Sequence, residues 1–353
     1  MIRLLIVEDS PVARAILMFV LESDPEIQVV GSAADGSEAV EMVELLKPDV
    51  VTMDINMPRM NGLEATRHIM QVRPVPIIIV SGSYESSDIA ATFQAVDAGA
   101  VAVLPRPYGI GNPLFQTQAH DLIRTIKLMS EVKVIRRFTH ASPTSRASES
   151  RTTSKIGKIP VVVPVEFIAI GASTGGPIAL RTILGMLPRD FSIPIGIVQH
   201  MAPGFMSGFV AWLSQTCNRN VRIAVQNDPI EPANVYLAPD NAHMKVMKGN
   251  RILLTKDEPT NGLRPSVSTF FRSVANEYGP AAIGVLLTGM GKDGARELGL
   301  MKERGAVTIA QDEASSIVYG MPGEAVRIGA AVYELSLDEI ATMLMQLAGC
   351  SQC

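Results

Sequence analysis

The sequence predicts an α/β protein of two domains in series: a doubly wound domain with a five-stranded parallel sheet, a linker, and a second α/β domain with a mostly parallel sheet. Three observations predict it. Short β-branched runs alternate with amphipathic helical stretches from residue 2 to about 130. A polar stretch rich in Ser, Thr, Arg and Lys then breaks the alternation, and from "VEFIAIGAS" onward a second alternation begins. A chain of 353 residues is long enough for two or three separate cores. The domains read as residues 1–127 and 164–353, with 128–163 as the linker.

In the first domain the strands are "RLLIV", "IQVVGSA", "VVTM", "PIIIV" and "VAVL". Each is followed by a helix pattern, and such units wind into a parallel sheet whose chemistry lies at the carboxyl ends of its strands. "RRFTHASPTSRASESRTTSKIGK" has too few apolar side chains to offset ordering entropy and reads as a flexible linker. Its positive charge lacks interleaved aromatics, which favours a solvated segment over a nucleic-acid or lipid contact. Strand candidates in the second domain include "FIAIG", "IPIGIVQ", "NVYLAP", "RILLT", "AIGVLLT" and "AVTIAQ". Between Val235 and Thr255 the turn residues of "MKGNR" predict a hairpin. There is no internal repeat of fixed period.

With 47% hydrophobic and 19% charged residues, the composition is that of a folded α/β protein rather than a disordered chain. A net charge of -4 gives no particular affinity for nucleic acid or anionic membrane. Cys217, Cys350 and Cys353 have neither C-x-x-C spacing nor a nearby His pair, and support neither a disulfide framework nor structural zinc. "MIRLLIVEDS" is too short in apolar residues for a signal peptide, and no run approaches the ~20 residues of a membrane span. The expectation is a cytoplasmic protein that is not membrane-inserted.

Glu8 and Asp9 end the first strand, and Asp54 ends the third. Those strands flank the switch point of a doubly wound sheet, so three carboxylates converge in one crevice. Such crowding suits a hard divalent cation with oxygen ligands, and Mg2+ fits because it keeps waters and takes few carboxylates. Ser81 ends the fourth strand, and Arg106 follows the fifth. Any one acid alone also suits a helix cap. Over residues 2 to about 127 the chain resembles the response-regulator receiver domain, through "LLIVEDS", "MDINMPRMNG", "IIIVSG" and "VLPRP" in that order. The resemblance implies that Asp54 accepts a phosphoryl group from a histidine kinase, that Glu8 and Asp9 help to hold Mg2+, and that Ser81 and Arg106 bind the phosphoryl oxygens. It also marks two departures. Lysine is usual where Arg106 stands, and an aromatic switch residue is common where Val103 stands.

"IAIGASTGGP" sets Ser173 between Gly171 and Gly175 just after an apolar strand, the G-x-S-x-G pattern of a turn that exposes a hydroxyl and aims N–H groups at an oxyanion. A phosphate loop would look similar, but the Walker lysine is missing. His200 ends the next strand in "IVQHMAPG" and would supply the base that a serine needs, with His243 in "NAHMKV" as a competitor. An imidazole base needs a carboxylate partner, which Asp293 in "LLTGMGKDGA" offers. That loop also spells G-x-G-x-x-G, with Asp312 about 20 residues on where a ribose-binding acid belongs. Against the dinucleotide reading, Asp293 would repel a pyrophosphate.

From residue 165 to about 345 the chain resembles the catalytic domain of the protein-glutamate methylesterase family of bacterial chemotaxis. The shared stretches are "AIGASTGGP", "VQHMAPGF", "RPSVSTFFRSVA", "LLTGMGKDGA" and "AQDEASSIVYGMP". A receiver joined by a linker to this domain is that family's architecture. The resemblance implies hydrolysis of glutamate γ-methyl esters on methylated chemoreceptors, and in some members deamidation of glutamines. It implies Ser173 as nucleophile, His200 as base and Asp293 as the acid that orients it, with backbone N–H groups of Thr174 and Met290 as oxyanion donors. No cofactor is implied for the ester chemistry, and no nucleic acid as partner. In the family the unphosphorylated receiver covers the catalytic face.

Overall fold

Five apolar runs pair into one sheet: β1 (Ile2–Val7), β2 (Ile27–Ala33), β3 (Val50–Met53), β4 (Ile77–Ser81) and β5 (Ala102–Pro105). The order is β2-β1-β3-β4-β5 and all neighbours are parallel. The chain returns through α1 (Pro11–Leu21), α2 (Gly36–Leu46), α3 (Gly62–Val72), α4 (Ser86–Ala98) and α5 (Phe115–Met129). Helices on both faces explain why β1 reads as a continuous apolar run. Leu4 and Ile6 pack with Leu17 and Leu122 on one face, while Leu5 and Val7 pack with Val43 and Ile69 on the other. Ser10, Asp35 and Asn61 cap the first three helices with side-chain oxygens.

The computed structural model describes residues 1–82, 86–132, 134, 163–247 and 249–349, with backbone only for 86–91. Helix α5 runs on to Met129, just inside the segment read as linker, most of which lies outside the described residues. Cys350 and Cys353 also lie outside them.

The second domain begins with β6 (Phe167–Ala172), α6 (Gly176–Met186), β7 (Ile195–Gln199) and α7 (Met206–Cys217). Then come β8 (Asn220–Ile223), β9 (Asn234–Leu237), β10 (His243–Met247) and β11 (Arg251–Thr255). The remainder is α8 (Val267–Glu277), β12 (Ala282–Leu286), α9 (Ala295–Glu303), β13 (Val307–Gln311), α10 (Met321–Arg327), β14 (Tyr333–Leu335) and α11 (Leu337–Leu347). Seven strands form a sheet in the order β14-β13-β12-β6-β7-β9-β8, and every pairing in it is parallel. The expected hairpin is β10 with β11, antiparallel and outside that sheet. Strands β8 and β14 had no apolar run to announce them. Both are edge strands, short and partly polar ("NVRI", "YEL"), as edges tend to be.

The two domains share apolar surface. Phe93 of α4 is fully buried against Phe209 and Trp212 of α7, with ring centroids 5.2 and 5.6 Å apart. Asp97 pairs with Arg181 and accepts a hydrogen bond from Trp212 Nε1 at 2.9 Å. Among the described residues no helix is long and apolar enough to cross a membrane.

Candidate functional site

Ser173 follows β6, His200 follows β7 and Asp293 lies in the loop after β12. The three strands are neighbours, with Gly171 in register with both Leu286 and Val198, so their carboxyl ends bring the three side chains together. Backbone bonds tie the loops: Ser173 N donates to Thr288 O at 3.0 Å and His200 N to Ala172 O at 2.9 Å. His200 Nε2 is 3.0 Å from Asp293 Oδ2. All three residues line one cavity of about 710 Å3.

Asp293 is 4% exposed and its carboxylate is saturated with donors. Oδ2 accepts from Val267 N at 2.7 Å besides His200, and Oδ1 accepts from Ser266 Oγ at 2.9 Å and Ser268 N at 3.1 Å. Burial pushes this carboxyl up, but the His200 hydrogen bond and charge and the Ser268 hydrogen bonds outweigh it and hold the pKa down to about 2. The group is therefore a fixed anion against the imidazole near neutral pH.

The glycine spacing of this loop has a steric explanation. A Cβ on Gly289 would stand 2.6 Å from Ser173 Cβ, and one on Gly294 would stand 2.4 Å from Val267 Cγ1. Gly294 also takes a left-handed φ of 84° to start α9. Both glycines let the loop lie against Ser173 and against the strut that holds Asp293. Asp312 is occupied as a turn cap, with Oδ1 accepting from Ser315 N at 2.9 Å. On the other side, Gly175 takes a φ of 80° and α6 starts at once, the strand–turn–helix that G-x-S-x-G predicts. Thr174 and Met290 line the cavity. Among the described residues, neither of their N–H groups donates within the protein.

His243 is separated from this group. It is 1% exposed in β10, with Nε2 3.2 Å from Glu258 O, and it does not line the cavity. Several polar residues around the site had no role assigned from sequence. Gln199, 2% exposed, donates from Nε2 to Ser173 O at 2.9 Å and to His200 O at 2.7 Å, linking the two loops. Thr288 Oγ1 donates to Thr174 O at 2.9 Å. Ser266 and Ser268 stand in the quoted "RPSVS" but gave no periodic or spacing signal. For Gln199 the available signal was an amide adjoining His200 at the end of an apolar strand.

In the first domain Glu8, Asp9 and Asp54 stand at the ends of the adjacent strands β1 and β3. One carboxylate oxygen from each lies within 4.8 Å of the others. Arg106 reaches over them, with Nε 3.3 Å from Glu8 Oε2 and a terminal nitrogen 3.3 Å from Asp54 Oδ2. Burial, then the charge of Asp54, pushes Glu8 up to about 7 against the pull of Arg106. Burial likewise raises Asp54, with Arg106 opposing. Glu8 Oε2 is buried and accepts no hydrogen bond. A buried carboxylate oxygen that no donor hydrogen-bonds, beside two further carboxylates, is the donor set that a hard divalent cation takes. Ser81 is 2% exposed, and its carbonyl accepts from Arg106 N at 2.8 Å. Next to it, a Cβ on Gly82 would stand 2.8 Å from Arg106 Cζ, so the bare backbone there makes room for the guanidinium. Val103 of β5 packs both into its own domain's core and against the second domain's core.

Residues 168–344 match the CheB methylesterase family, and residues 4–112 match the response regulator receiver domain. A protein-glutamate methylesterase/protein-glutamine glutaminase of Nitrosospira multiformis is 52% identical over 347 residues, spanning 98% of this chain and 97% of that one. One from Syntrophus aciditrophicus is 53% identical over 349 residues, 99% of each chain. Among solved structures, the CheB methylesterase catalytic domain of Thermotoga maritima is similar, with a TM-score of 0.51 and 35% identity. It covers 52% of this chain and 100% of that one.

Proposed function

Because this chain belongs to the CheB methylesterase family and carries a response regulator receiver domain, we propose that it is a phosphorylation-regulated hydrolase. Its substrates are glutamate γ-methyl esters, and glutamine side-chain amides, on methyl-accepting chemotaxis receptors. The observation that carries this reading is the 3.0 Å His200–Asp293 hydrogen bond in a cavity that Ser173 also lines.

Asp293 holds Nε2 of His200, so Nδ1 is the nitrogen that takes the Ser173 proton. Ser173 Oγ then bonds to the ester carbonyl carbon, whose oxygen becomes an anion held by the N–H groups of Thr174 and Met290. Collapse breaks the bond to the methoxy oxygen, which leaves as methanol with the proton from His200. Water, deprotonated by the same ring, cleaves the acyl-enzyme and restores a carboxylate. A glutamine follows the same path and releases ammonia. Throughout, the Asp293 anion stabilises the imidazolium and holds the ring in register.

In the receiver, Asp54 accepts the phosphoryl group from a chemotaxis histidine kinase, and Ser81 and Arg106 bind its oxygens. Glu8, Asp9 and Asp54 would hold Mg2+, which neutralises charge on the transferred group when bound. The setting is cytoplasmic, where kinase and receptor tails are both reached. Residues 1–127 act as receiver, 128–163 as linker and 164–353 as esterase. The receiver lies over the same cavity that Ser173 lines, and phosphorylation loosens it. Methanol release from methylated receptor membranes, with and without a phosphodonor, tests the reading. No release from phosphorylated wild type would overturn it.

A further inference from the structure

The cavity at Ser173 has walls from both domains. Ser173, His200 and Asp293 line it from the second domain, and Val103, Leu104 and Leu114 of the receiver line it from the first, beside the polar Gln118, Asp121 and Arg124. Its volume of about 710 Å3 lies within the range of small-molecule pockets, roughly 300–1,000 Å3. A receptor helix, about 10 Å across with its side chains, has to pass the receiver residues that share this cavity's wall before it reaches Ser173. Yet the chamber is open to solvent. Leu114 on its rim is 54% exposed, and Asn261, Gly291 and Lys292 are exposed beside it. Ser173 itself is only partly buried. The docked receiver excludes protein while leaving the hydroxyl accessible to something small.

We propose that the receiver-docked form is an active hydrolase of small, uncharged, short-chain carboxylic esters. Phosphorylation then changes which esters the site accepts, and does not switch the chemistry on. This rests on Ser173 as the nucleophile. Its Oγ bonds to the acyl carbon as the acyl–alkoxy bond breaks, its proton passes by way of His200 to the departing oxygen, and water releases the acid. The apolar receiver residues in the lining, Val103, Leu104 and Leu114, add to binding, since each acyl methylene they cover is worth roughly fourfold. Longer acyl chains are therefore favoured more strongly in the docked form than in the released one.

The test uses the full chain with p-nitrophenyl acetate and p-nitrophenyl butyrate, with and without Mg2+ and acetyl phosphate. Ser173→Ala serves as the blank, and methanol release from receptor membranes is measured in parallel. Without phosphodonor both esters should turn over well above the blank, and no slower than with it. Butyrate should gain on acetate by up to roughly 16-fold in kcat/KM, two methylenes' worth, and that gain should shrink on phosphorylation. Receptor demethylation should move the opposite way. Small-ester turnover at the blank level without phosphodonor, or rising with it in step with demethylation, overturns the chamber and leaves the receptor esterase standing. Small-ester cleavage through Ser173 in a chain that never demethylates receptors supports the chamber and overturns the receptor reading.

Discussion

Replacing Asp293 with Asn tests the geometry most sharply, because the carboxylate accepts four hydrogen bonds on two oxygens. An amide can replace only one of those oxygens. With its oxygen toward His200, the NH2 group faces the N–H of Ser268. Turned over, the NH2 faces the N–H of Val267 and donates to His200 Nε2, which protonates Nδ1 and removes the base. Either way one buried backbone N–H loses its acceptor, at a cost of about 1–3 kcal/mol. For a domain of this size that is a fall of roughly 2–12 °C in Tm. The charge that stabilises the imidazolium is lost as well, and removal of a triad acid costs up to about 10⁴-fold in turnover. Methanol release by the phosphorylated full chain measures the rate, and a thermal melt measures the stability. Wild type should also lose a contribution on acidification that the variant lacks. The pKa is depressed from 3.8 to about 2, so the ionised group's stabilisation is complete above about pH 4 and lost as pH falls toward 2. At ~1.4 kcal/mol per pKa unit this is on the order of 2 kcal/mol. Turnover within tenfold of wild type would remove Asp293 from the mechanism, and an unchanged Tm would refute the hydrogen-bond argument.

Ser173→Ala and His200→Ala should each abolish methanol release with the fold retained, whereas His243→Ala should lose stability but keep turnover in its folded fraction; exchanged behaviour of the two histidine variants in the release assay would refute the assignment. Arg106→Lys should leave phosphorylation of Asp54 intact but change the fold-activation by phosphodonor, because a lysine is a point charge and not a planar fork. Gly82→Ala should impair activation in wild type and be better tolerated beside Arg106→Lys, since the new methyl group meets the guanidinium; additive effects in that double-mutant cycle would count against the contact. Asp97→Asn weakens the pairing with Arg181 that joins the domains, and should raise receptor demethylation by unphosphorylated chain several-fold; an unchanged basal rate would show that this contact does not hold the receiver in place.

Both sheets and the residues at their strand ends were legible in the sequence for one reason. A parallel strand buried on both faces must be a continuous apolar run, so "FIAIG", "IGIVQ" and "AIGVLL" mark themselves, and the polar residue that follows each marks the strand's carboxyl end. Ser173, His200, Asp54 and Asp9 stand out locally in this way. Asp293 did not, because its loop also satisfies a dinucleotide fingerprint. Only the folded chain shows why Gly289 and Gly294 are glycines, one lying against Ser173 and the other against Val267. Tertiary structure likewise decided that Ser266, Val267 and Ser268 grip Asp293, that Gln199 links the serine and histidine loops, and that β8 and β14 complete the sheet. It alone brought Val103 and Leu104 of the first domain to the cavity that Ser173 of the second lines. Local periodicity records which face of an element is apolar. Contacts between residues distant in the chain depend on how those faces stack, and leave no periodic trace in either segment.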